Sequence, residues 1–246
     1  MPVFFITADQ VRDETVRIEG PLLHHLRNSL RCRVGEEVWL GDGEKQRYRI
    51  QIVGITPRTL SGRILERQAM PSSGSPTFTI GQALLKGERM DWVIQKASEL
   101  GAASLVPLVS RHVIVRPRAD RLTAQQQRWQ RIALEAAQQA ERWEVPVVHT
   151  TREAMVFFAE QPAGTIRLFL SERADGAGLA SVGLPRGPEG RVTIAVGPEG
   201  GWTKEERENA LHHGFTPVTL GPRILRAETA TLAALTILQS RLGELG

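Results

Sequence analysis

An apolar, strand-like run, Arg191-Val192-Thr193-Ile194-Ala195-Val196, enters the turn Gly197-Pro198-Glu199-Gly200-Gly201-Trp202 and leaves it through a helix start. Thr203 stands at an N-cap position, and Glu206, three residues on, completes a capping box. Three glycines in five residues, around a proline, leave main-chain N–H and C=O groups unshielded, so the backbone can approach a ligand closely. A second segment repeats the design: strand-like Pro217-Val218-Thr219-Leu220, a Gly221-Pro222 break, then a helix dominated by Ala, Leu, Thr and Ile over residues 226–240. The two turns are expected to face one pocket. Their glycine spacing is neither Gly-x-Gly-x-x-Gly nor Gly-x-x-x-x-Gly-Lys-Ser/Thr, which disfavours an ordinary dinucleotide or triphosphate site.

The alternation extends upstream. Strands are predicted over residues 77–85, 104–108 and 166–171, and helices over 89–100 and 124–142, a pattern that gives an α/β domain. Gly101 and Gly214 stand where C′ glycines stop helices. Before residue 69 the texture is different, with strands predicted over 3–7, 15–18, 37–40, 48–55 and 59–66 and one short helix over 22–30, which suggests a compact β-barrel. The Pro/Ser/Gly stretch Ala69-Met70-Pro71-Ser72-Ser73-Gly74-Ser75-Pro76 separates the two, dividing the chain into 1–72 and 73–246.

With 246 residues, 41% of them hydrophobic, the chain can bury a proper core. Its one cysteine, Cys32, forbids an internal disulfide and fits a reducing cytoplasm. No run approaches the roughly 20 apolar residues of a membrane span, and no secretory signal is present, so no membrane role is expected. The six histidines show no metal-ligand spacing, so no metal is expected either. A net charge of +4 favours an anionic partner. Three acid-free clusters sharpen that: His24, His25, Arg27, Arg31 and Arg33; Lys45, Arg47 and Arg49; Arg111, His112, Arg116 and Arg118. Such clusters can track phosphates, although any single arginine is more often a solvated surface charge.

Gly-Pro-Glu-Gly-Gly, together with Leu220-Gly221-Pro222-Arg223-Ile224-Leu225-Arg226-Ala227-Glu228-Thr229-Ala230, closely resembles the SPOUT class of RNA methyltransferases. Within it the chain is similar to the subfamily that methylates N3 of a uridine in small-subunit (16S) ribosomal RNA. The likeness runs through Leu85-Lys86-Gly87-Glu88-Arg89-Met90-Asp91-Trp92, Gln95-Lys96-Ala97-Ser98-Glu99-Leu100-Gly101 and the N-terminal His24-His25-Leu26-Arg27-Asn28-Ser29-Leu30-Arg31. The resemblance implies a C-terminal trefoil-knotted α/β domain with a smaller N-terminal PUA-like β-barrel. Generic chain topology would instead predict an open, unknotted sheet.

It also implies S-adenosyl-L-methionine bound among the knot loops near Leu170-Ser171-Glu172, by Leu170, Ser171, Gly197, Pro198, Glu199, Gly200, Gly201, Leu220, Gly221, Ile224, Leu225, Arg226, Thr229 and Ala230. Transfer from a sulfonium depends mainly on positioning, but the proton on uridine N3 must be lost, so a cation and an acceptor are both wanted. Arg226 is the candidate for stabilising the deprotonated uracil or orienting the substrate. Glu199 is the candidate base or helix-terminal acceptor, with Glu228 and Thr229 in support. Arg27, Arg31, Arg33, Arg49, Lys86 and Arg89 are candidates for RNA contact. Trp202, beside the glycine turn, is the one tryptophan placed to meet a ligand. By family analogy the partners are ribosomal RNA, or the small ribosomal subunit, and a second copy of the chain docked through the knotted domain. A non-catalytic RNA-binding assembly factor, or the same fold acting on transfer RNA or a ribose 2′-hydroxyl, are the competing readings.

Overall fold

The computed structural model describes residues 3–43, 45–72, 74–114, 116, 119–171 and 177–246. The chain divides into two compact units, residues 1–71 with 137–145, and residues 72–136 with 146–246.

In the first unit, strands β1 (Val3–Phe5), β2 (Val11–Arg12), β3 (Thr15–Ile18), β4 (Glu37–Gly41), β5 (Gln46–Ile55) and β6 (Leu60–Ala69) form one sheet in the order β1-β4-β5-β6-β3-β2. Only β1 and β4 are parallel. Alternation places Val16 and Ile18 of β3, Tyr48, Ile50 and Ile52 of β5, and Leu60 and Ile64 of β6 in a common core with Phe4 and Leu40. Helix α1 (Gly20–His24) adds Leu23, and a single wide π turn over His25–Ser29 adds Leu26, so the short helix expected there is half α and half π. Cys32 packs against this core, and burial pushes its thiol above the ordinary range. Residues 137–145 join the unit through side chains invisible to strand periodicity. The Arg47 guanidinium lies 3.8 Å over the Trp143 ring and donates to the Glu141 carbonyl, and Lys45 pairs with Glu144 at 3.7 Å.

The second unit is a wholly parallel sheet of β7 (Thr77–Ala83), β8 (Ser104–Val109), β9 (Val147–Val148), β10 (Arg152–Glu153), β11 (Ile166–Leu170), β12 (Arg191–Val196) and β13 (Thr216–Val218). The order is β10-β8-β7-β12-β11-β13, with β9 also on β8. Helices α2 (Arg89–Glu99), α3 (Leu122–Gln139), α4 (Ala154–Ala159), α5 (Lys204–His212) and α6 (Ala227–Arg241) accompany it. Both faces are covered. Val192, Ile194 and Val196 of β12 enter a core with Val93, Ile94, Leu235 and Leu238, while Ala195 points the other way into Phe157, Phe158, Ala210 and Phe215. That two-sided burial is why β12 is a near-continuous apolar run.

Prolines sit where the ladder spares them. Pro107 of β8 falls between the residues paired by β9 (Ser104, Leu105) and by β10 (Leu108, Val109), and Pro217 lies in the edge strand β13. Gly81 is required by contact: a Cβ there would lie 2.5 Å from the Phe157 ring. Gly101, at φ +91°, ends α2 as expected, and the Leu100 carbonyl before it accepts from Nε2 of Gln239 on α6 at 2.9 Å. A second α6 side chain, Thr231, donates to Oε1 of the fully buried Gln82 on β7. Along α6 the buried residues Ala227, Thr231, Ala234, Leu235 and Leu238 form one stripe, which packs within the chain on α2 and β12.

Candidate active site

Strands β11, β12 and β13 end side by side, and their carboxyl-terminal turns enclose a cavity of about 390 Å³. Open α/β sheets bind ligands at this end of the strands. Leu170 ends β11 and Ser171 follows it, Gly197, Pro198, Glu199, Gly200 and Gly201 follow β12, and Leu220, Gly221, Ile224, Leu225, Arg226 and Ala230 come from the turn after β13 and the start of α6; all of them line the cavity. Thr229 does not. It is exposed, because helical periodicity puts Ala227 and Ala230 on the inner face and turns Thr229 outward. Glu172 and Arg118 lie outside the described residues.

The helix after the glycine turn starts as its sequence dictates. The Thr203 hydroxyl accepts from the Glu206 N–H at 3.2 Å, and the Glu206 carboxylate accepts from the Thr203 N–H at 2.9 Å. Glu206 is only 5% exposed, and its other oxygen accepts from the Arg111 N–H at 2.9 Å.

Each glycine of the turn has its own reason. Gly201 holds a left-handed φ of +67°. A Cβ on Gly197 would lie 3.1 Å from the Trp202 indole, and one on Gly200 would lie 3.0 Å from Cβ of His112. Protein atoms therefore occupy the space that two of the missing side chains leave. Across the cavity Gly221, at φ +112°, has open space where a side chain would be.

Glu199 lines the cavity and accepts from Nη1 of Arg89 at 2.9 Å. Arg89, expected at RNA, is thus engaged by the glycine turn. Arg226 lines the same cavity, and among the described residues no carboxylate forms an ion pair with it. Its backbone caps α6 with extended geometry, while the Glu228 carboxylate in the first turn is buried, with Oε2 unpartnered among the described residues.

Of the remaining RNA candidates, Lys86, Arg27, Arg31 and Arg33 are exposed, with Arg31 at a left-handed φ of +55°. Arg49 is held across the sheet by Glu37 at 2.9 Å and Glu66 at 3.0 Å, hydrogen bonds that raise its pKa and compensate its charge. Cross-strand register explains this, since Arg49 of β5 faces Glu66 of β6 directly.

Several lining residues escaped the sequence reading. Arg207 on α5, Arg223 in the second turn, and Val196, Val218 and Thr219 at the strand ends all line the cavity. Trp202 lines it too, its ring edge-on to Phe158 at 5.4 Å and its buried Nε1–H without a partner among the described residues. Proximity to the motif was the available signal for Arg223 and the strand ends; nothing marked Arg207. Among the described residues no group of three or more His, Cys, Asp or Glu could hold a metal, and no helix is long and apolar enough to cross a membrane.

Residues 73–239 match a family described as RNA methyltransferase domain, and residues 18–65 match one described as RNA methyltransferase PUA domain. The chain is 34% identical to the ribosomal RNA small subunit methyltransferase E of Synechocystis sp., over 94% of this chain and 74% of that one. It is 28% identical to the protein of the same name from Bacillus subtilis, over 94% and 92%. A crystal structure of ribosomal RNA small subunit methyltransferase E from Neisseria gonorrhoeae, bound to S-adenosyl methionine, matches with a TM-score of 0.88 and 32% identity over 98% of each chain. A PUA-like N-terminal domain followed by a parallel-sheet methyltransferase domain, with the glycine turns at the sheet's carboxyl end, places this chain in the ribosomal RNA small subunit methyltransferase E family of RNA methyltransferases.

Proposed function

We propose that the chain transfers the methyl group of S-adenosylmethionine to N3 of a uridine in 16S ribosomal RNA. It does so in the cytoplasm, as a homodimer whose C-terminal segment is threaded as a trefoil knot. The observation that carries this reading is the cavity at the ends of β11, β12 and β13, with Arg226 at its wall and, among the described residues, no carboxylate ion-paired to it. The residues fit the cofactor. At about 390 Å³ the cavity falls in the range of small-molecule sites, roughly 300–1,000 Å³. Backbone from two turns is open toward it, and the Trp202 Nε1–H, without a partner among the described residues, is the kind of orphaned donor a ligand satisfies.

S-adenosylmethionine would supply an electrophilic methyl on a sulfonium centre. Leu170, Ser171, the 197–201 turn, Leu220, Gly221, Ile224, Leu225 and Ala230 would hold it. Arg226 stabilises negative charge as the uracil ring loses its N3 proton, and among the described residues no ion-paired carboxylate offsets that field. Glu199 accepts that proton or orients the ring, with Arg89 fixing its carboxylate. Lys86 and the exposed Arg27, Arg31 and Arg33 contact phosphate.

Segment 177–182 supports the threaded tail. The Leu179 N–H donates to the Thr219 carbonyl at 2.9 Å, and Arg241 of α6 donates to the carbonyls of Leu179 and Val182 at 3.2 and 2.6 Å, so the segment is tied to the second turn and to the last helix. Exposed apolar side chains of the second unit, Trp92 and Ile224 among them, offer a second copy surface to pack on.

The test is incubation with methyl-labelled S-adenosylmethionine and small subunits from a methylation-deficient strain, followed by nucleoside mass spectrometry. Label is expected in N3-methyluridine. Label in a 2′-O-methylated nucleoside, or in transfer RNA alone, would overturn the assignment.

A further inference from the structure

The basic stretch that leaves β8, Arg111-His112-Val113-Ile114, has no role in the reading above, yet it is fastened to the glycine turn at two points. The Arg111 N–H reaches the buried Glu206 carboxylate, and Nδ1 of His112 lies 3.0 Å from the carbonyl oxygens of both Gly200 and Gly201. Val113, buried, anchors the stretch on the other side. Carbonyl oxygens only accept, so Nδ1 carries the proton and donates a three-centre bond, leaving Nε2 pointing away from the turn.

The close approach of His112 Cβ to Gly200 shows the same fit sterically. A peptide group is planar and trans, so fixing a carbonyl also fixes the N–H that follows it. By holding two successive carbonyls, His112 steadies the Gly201 N–H, which closes the turn on the Pro198 carbonyl at 2.9 Å, and sets the orientation of the Trp202 N–H. Both residues line the cavity.

We propose that His112 is a positioning residue for the cofactor, latching the carbonyls of Gly200 and Gly201 so that the turn is already in its receiving form before S-adenosylmethionine arrives. The proposal rests on the reading of this cavity as the S-adenosylmethionine site. It makes cofactor affinity, rather than the chemical step, the quantity that depends on the imidazole.

Calorimetric titration of S-adenosylmethionine into wild type, His112→Ala, His112→Asn and His112→Gln tests it. Asparagine places an amide N–H close to the position of Nδ1, whereas glutamine carries its amide one bond further out. His112→Ala and His112→Gln are expected to bind about five- to tenfold more weakly, the net worth of one to two hydrogen bonds. His112→Asn should return to within about twofold of wild type, and kcat at saturating cofactor should be unchanged in all three. Equal affinity in all four proteins, or an asparagine variant as weak as alanine, would overturn the proposal. Absence of binding by wild type itself would instead remove the cofactor reading on which it rests.

Discussion

Glu206 gives the sharpest prediction about what holds the site together. Its carboxylate is almost wholly buried and accepts two backbone N–H bonds, one from Thr203 that closes the helix cap and one from Arg111 that ties down the segment after β8. Hydrogen bonds to a charged group contribute about 1.5–3 kcal/mol each, and removing the acceptor leaves two donors unsatisfied near the protein interior. Part of that is offset, because the carboxylate no longer has to be desolvated and water can reach a helix N-terminus. The net cost of Glu206→Ala is therefore about 2–4 kcal/mol. In a domain of this size that lowers Tm by roughly 4–16 °C.

Glu206→Gln should also be costly, since the amide keeps one acceptor and turns an NH₂ toward the second donor. Thr203→Ala removes only the hydroxyl half of the box and should cost about 1 kcal/mol. Urea unfolding followed by tryptophan fluorescence gives the three values side by side. If Glu206→Ala proves no more destabilising than Thr203→Ala, the Arg111 bond contributes nothing and the double role of this carboxylate is refuted.

Gly81→Ala should destabilise by about 2–3 kcal/mol, because the new methyl meets the Phe157 ring inside a buried sheet; the companion change Phe157→Leu should recover part of that in the same unfolding assay. Arg226→Ala should slow single-turnover methyl transfer by about a hundredfold while calorimetric S-adenosylmethionine affinity is spared, and undiminished transfer would remove Arg226 from the chemistry. His149, in a hydrogen bond with Ser104 at 2.7 Å, has its pKa lowered from 6.5 by burial first and by Arg152 second. The unfolded chain therefore takes up a proton at higher pH than the folded one, so stability is flat above the unfolded pKa and falls as pH drops through it toward the folded value. His149→Gln should flatten that acid-side slope, and an unchanged slope would refute the assignment.

Local chemistry made much of the site legible. The capping pair Thr203 and Glu206, the glycine turns after β12 and β13 and the apolar runs of β7, β8 and β12 are all decisions taken within a few residues, and each stands in the structure where its pattern put it. Even so, Gly197 and Gly200 face Trp202 and His112, so the turn's openness to ligand comes from its carbonyls and N–H groups and not from every missing side chain.

What escaped was long-range. His112 meets Gly200 across 88 positions, and Arg89 meets Glu199 from another strand-to-helix turn. Thr229 fell off the cavity by a single helical step. The strands β2, β9 and β10 have two residues each, too few for any periodicity to register, and α4 at six residues is shorter than the pattern needed to predict a helix.

The hold of α6 on the rest of its unit carries a consequence for how the protein is made. Gln239 supplies the donor for a carbonyl 139 residues upstream, and Thr231 supplies the partner of Gln82, 149 residues upstream. Until α6 leaves the ribosome, the Gln82 side chain at the centre of the parallel sheet lacks its Thr231 partner and the Leu100 carbonyl at the end of α2 lacks its Gln239 donor. Contacts of such separation form slowly, because a long loop must close before any of them is gained. The N-terminal sheet has most of its partners within reach as soon as it is synthesised. Removal of the final helical turns should accordingly leave that sheet folded while the methyltransferase domain stays open and prone to aggregate.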